Sequence, residues 1–106
     1  MQNPDTTLEI VHFRAAAGVS PDALRTASKL AADAIARIEG FLDRRLVEQD
    51  DGGFIDIVHW RTRAHAEAAA ASAASVPELG SYFALIDPET IRMSHCRVLE
   101  SRVGSS

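Results

Sequence analysis

A single cysteine, Cys96, leaves this 106-residue chain no internal disulfide to form. That usage suits a reducing compartment, and a lone cysteine inside a strand pattern reads as a small core residue rather than a catalytic thiol. Aromatic side chains are scarce as well, with one tryptophan, one tyrosine and four phenylalanines. They are too scattered to form the stacking platform by which RNA-binding modules of βαββαβ order hold bases. Basic charge is not in excess. The net charge is −4 and the pI about 5.5, so the cationic footprint that phosphate binding requires is missing and no nucleic-acid partner is expected. No run approaches the roughly 20 apolar residues that cross a bilayer. Met1 to Thr7 is polar with no apolar run behind it, which predicts neither leader nor membrane anchor and places the protein in the cytoplasm. A glycine-rich phosphate loop and a serine elbow are both missing.

What remains is an ordinary globular composition, 46% hydrophobic and 25% charged, sized for a single domain over residues 1–106 with a core of about 8–99. The chain is organised around a hairpin. Two β-prone runs, Phe41 to Gln49 and Phe54 to Trp60, flank a turn cluster of Asp50, Asp51, Gly52 and Gly53. The first run carries Asp43, Arg44, Arg45 and Glu48, as an exposed edge strand does. The second is more apolar and suits the sheet centre, with Phe54, Asp56, Val58 and Trp60 on one face and Ile55, Ile57 and His59 on the other.

On either side stand a helix and a further strand. Leu8 to Arg14 alternates, Leu8, Ile10 and His12 facing one way and Glu9, Val11 and Phe13 the other. Ser20-Pro21-Asp22 then supplies a capping hydroxyl, a helix-start proline and a first-turn acid. The helix should run to about Ile38 on a stripe of Leu24, Ala27, Leu30, Ala31, Ala34, Ile35 and Ile38, and Gly40 ends it. Thr62 caps a second helix, through about Ser75, whose interior is almost all alanine. Such a helix either lies very close to the sheet or leaves a cavity above it. Pro77 to Leu85 forms a short helical turn that brings Tyr82 and could wall such a cavity. Ile91 to Leu99 is the last strand, with Ile91, Met93, His95, Arg97 and Leu99 on one face, and the tail to Ser106 should be loosely ordered. The order β-α-β-β-α-β predicts an α+β, ferredoxin-like fold with a four-stranded antiparallel sheet. One layer of helices covers only one face, so the other is expected to meet a second subunit.

Gly40-Phe41-Leu42, then Ile57-Val58-His59-Trp60 running into Arg61-Thr62-Arg63-Ala64-His65-Ala66, and finally Ile86-Asp87-Pro88-Glu89-Thr90-Ile91-Arg92-Met93-Ser94-His95, resemble the antibiotic biosynthesis monooxygenase superfamily. The resemblance covers roughly Leu8 to Leu99. It implies a homodimer, a dimeric α+β barrel with its two sheets face to face and one pocket per subunit between sheet and helices. Relatives of this shape include cofactor-independent oxygenases that turn phenolic polycycles into quinones, haem-degrading enzymes, small isomerases and proteins with no known catalysis. Trp60 matches the tryptophan that lines the pocket in oxygenase relatives. The haem-degrading members ligate iron through a histidine after the second helix, where this chain has only Tyr82.

In such a sheet the first strand lies between the third and the fourth. If Leu8 lies opposite Trp60, then His12 lies opposite Asp56, and His95 stands beside the first strand. A carboxylate beside an imidazole suits a general base that removes a phenolic proton. The expected catalytic residues are therefore His12, Asp56 and His95, with Trp60 stacking on the ring and Tyr82 or Arg97 hydrogen-bonding its oxygens. A buried carboxylate needs a partner, and His12, His95 and Arg97 are the available ones for Asp56. His59 is expected at the dimer interface and His65 in solvent. Two histidines and a carboxylate could also make a facial metal triad, but no short-range ligand spacing supports one, and no cofactor is expected. The reading is a cofactor-independent monooxygenase for a small aromatic or polyketide-like molecule. Its alternative is a non-catalytic dimeric protein that binds a small apolar ligand.

Overall fold

The computed structural model describes residues 6–105, and the first five residues of the polar start lie outside them. Strand β1 spans Thr7–Phe13, helix α1 Pro21–Ala36, β2 Phe41–Glu48, β3 Phe54–Trp60, helix α2 Arg63–Ser72, helix α3 Pro77–Phe83 and β4 Arg92–Arg97. Short 3-10 turns at Ala73–Ser75 and Pro88–Thr90 complete the path. The four strands form one antiparallel sheet in the order β2-β3-β1-β4. This is the expected ferredoxin-like arrangement, with β2 at an edge and β3 inside. Residues 98–105 form no helix or strand.

Local chemistry explains the element ends. Ser20 Oγ accepts from the Ala23 amide at the start of α1, and Thr62 Oγ1 accepts from the His65 amide at the start of α2. Gly40 takes φ +90°, and a Cβ there would overlap the His65 ring, so only glycine lets the chain turn this close under α2. His65, expected in solvent, is half-buried by that contact. In the turn Gly52 takes φ +86°, while the Gln49 amide donates to Gly53 O at 2.7 Å and closes the hairpin.

Alternation divides the sheet. Glu9, Val11 and Phe13 of β1 share the helix-covered face with Phe54, Asp56, Val58 and Trp60 of β3. Leu24, Ala27, Ala31, Ala34 and Ile35 of α1 close over Phe13 and Phe54 at one end, and Ala66 and Ala69 of α2 sit on Val58 and Trp60 at the other. The opposite sheet face carries Leu8, Ile10, Ile55 and Ile57, all half-buried.

Four expectations are corrected. Thr7, not Leu8, lies opposite Trp60, so Val11 faces Asp56 and His12 faces Ile55. Because side chains alternate, that one-residue slip puts His12 on the face away from the helices, and it is exposed. Leu30 is 71% exposed, since it lies off the stripe that Leu24, Ala27, Ala31 and Ile35 form on a 3.6-residue period. The alanine helix ends at Ser72 and continues as a 3-10 turn. Cys96 is exposed, opposite Leu8 on the open face, rather than in the core.

Candidate functional site

The alanine helix does both of the things expected of it in alternation. Its first half packs closely, Ala66 being fully buried on the Val58 and Trp60 side. Its second half leaves room, and Ala69, Ala70, Ala73 and Ala74 roof a cavity of about 360 Å³. The sheet supplies the floor, chiefly Glu9, Val11, Asp56, Val58 and Trp60, and Leu79, Tyr82 and Phe83 of α3 form one wall. The volume lies within the range of small-molecule sites, and the lining is overwhelmingly apolar. Two carboxylates break it.

Asp56 is held at three points. Arg44 donates from Nε to Oδ1 at 2.9 Å and from Nη2 to Oδ2 at 2.8 Å. The Tyr82 hydroxyl donates to Oδ2 at 2.7 Å. Arg44 also donates from Nη1 to Ser28 Oγ of α1 at 2.9 Å, and its guanidinium lies 5.3 Å from the centre of the Tyr82 ring. The Arg44 and Asp56 side chains are only 9% and 11% exposed, so this bidentate pair works in a poorly solvated place. Burial pulls the Arg44 pKa down, but the hydrogen bonds and charge of Asp56 outweigh it and the net direction is up. Burial first, and then the charge and hydrogen bond of Asp56, push the Tyr82 phenol far above its ordinary range. Tyr82 is therefore a fixed hydrogen-bond donor.

Glu9 is held at one. His95 Nε2 stands 3.3 Å from Glu9 Oε2, with the imidazole 14% and the carboxylate 11% exposed. The two face each other directly across the β1–β4 ladder. Trp60, 2% exposed, lines the floor edge-on to Phe41 at 6.0 Å. Its indole N–H has no hydrogen-bond partner among the described residues.

The six residues expected at the site thus separate. Asp56, Trp60 and Tyr82 line the cavity. His95 touches it through Glu9. His12 and Arg97 are exposed and do not line it. The partner of Asp56 is Arg44, assisted by Tyr82, and not His12, His95 or Arg97. Among the described residues no three His, Cys, Asp or Glu side chains gather in a metal-binding group.

Arg44 was hidden by a bulge. Phe41 faces Trp60 but Asp43 faces His59, so the extra residue rephases β2. Arg44 then shares the covered face with Phe41, which strict alternation would have denied it. Its signal was nonetheless present, because pairing outward from the Gln49–Gly53 turn sets Leu46 opposite Asp56 and Arg44 two residues away on the same face. Glu9 was a charged residue on the face that Val11 and Phe13 mark as core.

No family model and no curated protein matches the sequence. Solved structures match its shape. A variant of SnoaB, a cofactor-independent oxygenase from Streptomyces nogalater, is 18% identical with a TM-score of 0.72, covering 92% of this chain and 96% of its own. A candidate antibiotic biosynthesis monooxygenase from Bordetella bronchiseptica is 17% identical with a TM-score of 0.73, covering 93% and 98%. The haem degrader MhuD from Mycobacterium tuberculosis, with two haems bound in its active site, is 21% identical with a TM-score of 0.72, covering 92% and 99%. The chain has the fold of the antibiotic biosynthesis monooxygenase structures.

Proposed function

We propose that this protein is a cofactor-independent monooxygenase acting on a small aromatic or polyketide-like molecule, and that it works as a homodimer. The observation that supports this most is the Glu9–His95 pair, a carboxylate and an imidazole 3.3 Å apart at the wall of an apolar cavity. Such a pair takes a proton from a phenolic or enolic hydroxyl, Glu9 meeting the substrate and His95 sharing the proton behind it. His95 and Glu9 take the base role that His12 cannot reach from the opposite face. Trp60 offers its ring to an aromatic substrate, and Arg44 and Tyr82 hold Asp56 as a rigid polar end.

The deprotonated ring is electron-rich enough to reduce dioxygen without a metal or flavin. One electron pair of the ring carbon forms the new carbon–oxygen bond, and the oxygen–oxygen bond then breaks. A ring methylene becomes a carbonyl, and the second oxygen atom leaves as water with the two hydrogens of that carbon. The half-buried apolar row of Leu8, Ile10, Ile55 and Ile57 on the open sheet face supports pairing with a second copy.

Haem does not fit the residues present. The described lining contains no histidine for the iron, and the Tyr82 hydroxyl is committed to Asp56. The reading is tested by oxygen uptake with a hydroxylated anthrone in the presence of a chelator. Uptake is expected, with a fall of about 10²-fold or more in His95→Ala, the usual worth of a general base. One observation favours a second reading, a non-catalytic dimeric protein that binds a small apolar ligand: Asp56, one of the two acids of the cavity, is tied by Arg44 and Tyr82. No uptake with any phenolic polycycle, from a protein that still binds one, would leave that reading standing and overturn the first.

A further inference from the structure

We infer that the cavity selects an uncharged, flat ring that carries a hydroxyl donor and turns away carboxylates, and that Glu9 makes the selection. This rests on the reading of the cavity as the ligand site and narrows its substrate class. Two carboxylates, Glu9 and Asp56, line the cavity, and no lysine, arginine or histidine is among the described lining residues. The register sets them one step apart on neighbouring strands of the same face, since Glu9 lies opposite Val58 and Val11 opposite Asp56.

Their capacity for a ligand differs. Asp56 already accepts three hydrogen bonds. Arg44, the cation nearest the floor, spends Nε and Nη2 on Asp56 and Nη1 on Ser28. All three of its nitrogens are already held in place by these bonds, and Arg44 does not line the cavity. Glu9 accepts at Oε2 alone, and its Oε1 takes no hydrogen bond from any described residue. A carboxylate oxygen has about two acceptor positions, so Glu9 offers open acceptor capacity beside the apolar floor.

A ligand hydroxyl donated to Glu9 fills that capacity. A ligand carboxylate would set like charges together in a poorly solvated cavity whose lining supplies no cation, and such an arrangement is rejected strongly. A ligand ammonium is not the better match, because Glu9 Oε2 is already engaged with His95 and the rest of the floor is too apolar to solvate the other N–H groups of an ammonium.

The test uses three bicyclic probes at neutral pH: 2-naphthol, 2-naphthoate and 2-naphthylmethylamine. Affinities are measured by titration calorimetry. The single tryptophan gives one indole N–H resonance, whose shift reports binding against Trp60. The intact protein should prefer the naphthol over the naphthoate by about tenfold or more, the size of one mispaired buried polar group. In Glu9→Gln the preference should shrink to within about threefold, mostly because the naphthoate gains. Equal or tighter binding of the naphthoate or the amine by the intact protein overturns the inference, as does an unchanged ratio in Glu9→Gln or an indole resonance that none of the probes moves. The ratio in the intact protein decides the matter even if the variant does not fold. No turnover enters this assay, so a failure of oxygen uptake strikes the oxygenase reading and an inverted ratio strikes this one.

Discussion

The two acids of the cavity are buried alike, Asp56 at 8% and Glu9 at 9% exposure, and they are built for different work. Asp56 is locked by a bidentate arginine and a tyrosine that tie β2, β3, α1 and α3 together. Glu9 leans on one imidazole across a single ladder rung. Burial alone does not make a carboxylate reactive. What separates a structural acid from a chemical one is how many of its acceptor positions the fold has already filled.

The contrast has measurable consequences, the largest at Arg44. Arg44→Leu leaves Asp56 buried without a cation, and urea unfolding should show a loss of about 3–5 kcal/mol. A loss below about 1 kcal/mol would break the comparison, because Asp56 would then be no more locked than Glu9. Tyr82→Phe comes next, with a loss of about 1–2 kcal/mol for a buried hydrogen bond to a charged acceptor.

That variant also carries a pH signature. The Tyr82 phenol is raised in the folded state, so the folded protein keeps a proton that the unfolded chain releases above about pH 10. Its contribution is complete below that pH and fades as pH rises through it. The protein as it stands should lose stability steeply above pH 10, and Tyr82→Phe should flatten the slope. With one tyrosine in the chain, absorbance at 295 nm should show no tyrosinate until unfolding begins. The smallest effect on stability belongs to the other acid. Glu9→Gln should change unfolding free energy by less than about 1 kcal/mol, because one weakly held hydrogen bond is altered and the shape is kept. A Glu9→Gln variant as unstable as Arg44→Leu would erase the distinction.

The architecture was readable because several local signals agreed. Ser20-Pro21-Asp22, Thr62 and the Asp50 to Gly53 turn each fixed an element end, and alternation divided β1 and β3 each into two sets of side chains without deciding which set of β1 meets the helices. The cavity was half-readable from the alanines of α2. The site was not, for two reasons. A tight turn sets the register of β2 on β3, but β1 and β3 are separated by a helix and a whole strand, so nothing local decides whether Thr7 or Leu8 meets Trp60. The choice moved His12 from one side of the sheet to the other. Arg44 stands inward in the register that the turn sets, but its neighbours Asp43 and Arg45 mark an exposed edge, and the bulge after Phe41 puts it out of phase with the aromatic residue that opens the strand.

The place of β4 bears on how the protein is made. Glu9 and His95 lie 86 residues apart in sequence, and β4 leaves the ribosome after the other three strands of its sheet, yet it pairs with β1. Until that late closure, the hairpin, both long helices and the cavity roof can assemble around a β1 whose outer edge is still open. The arginine-tied acid can find its partners, Arg44 and Tyr82, and the Ser28 that steadies Arg44, all synthesised earlier. The imidazole-tied acid cannot. The acid–base pair waits on the closure of β4, and fraying of that strand is a low-cost way to lose it.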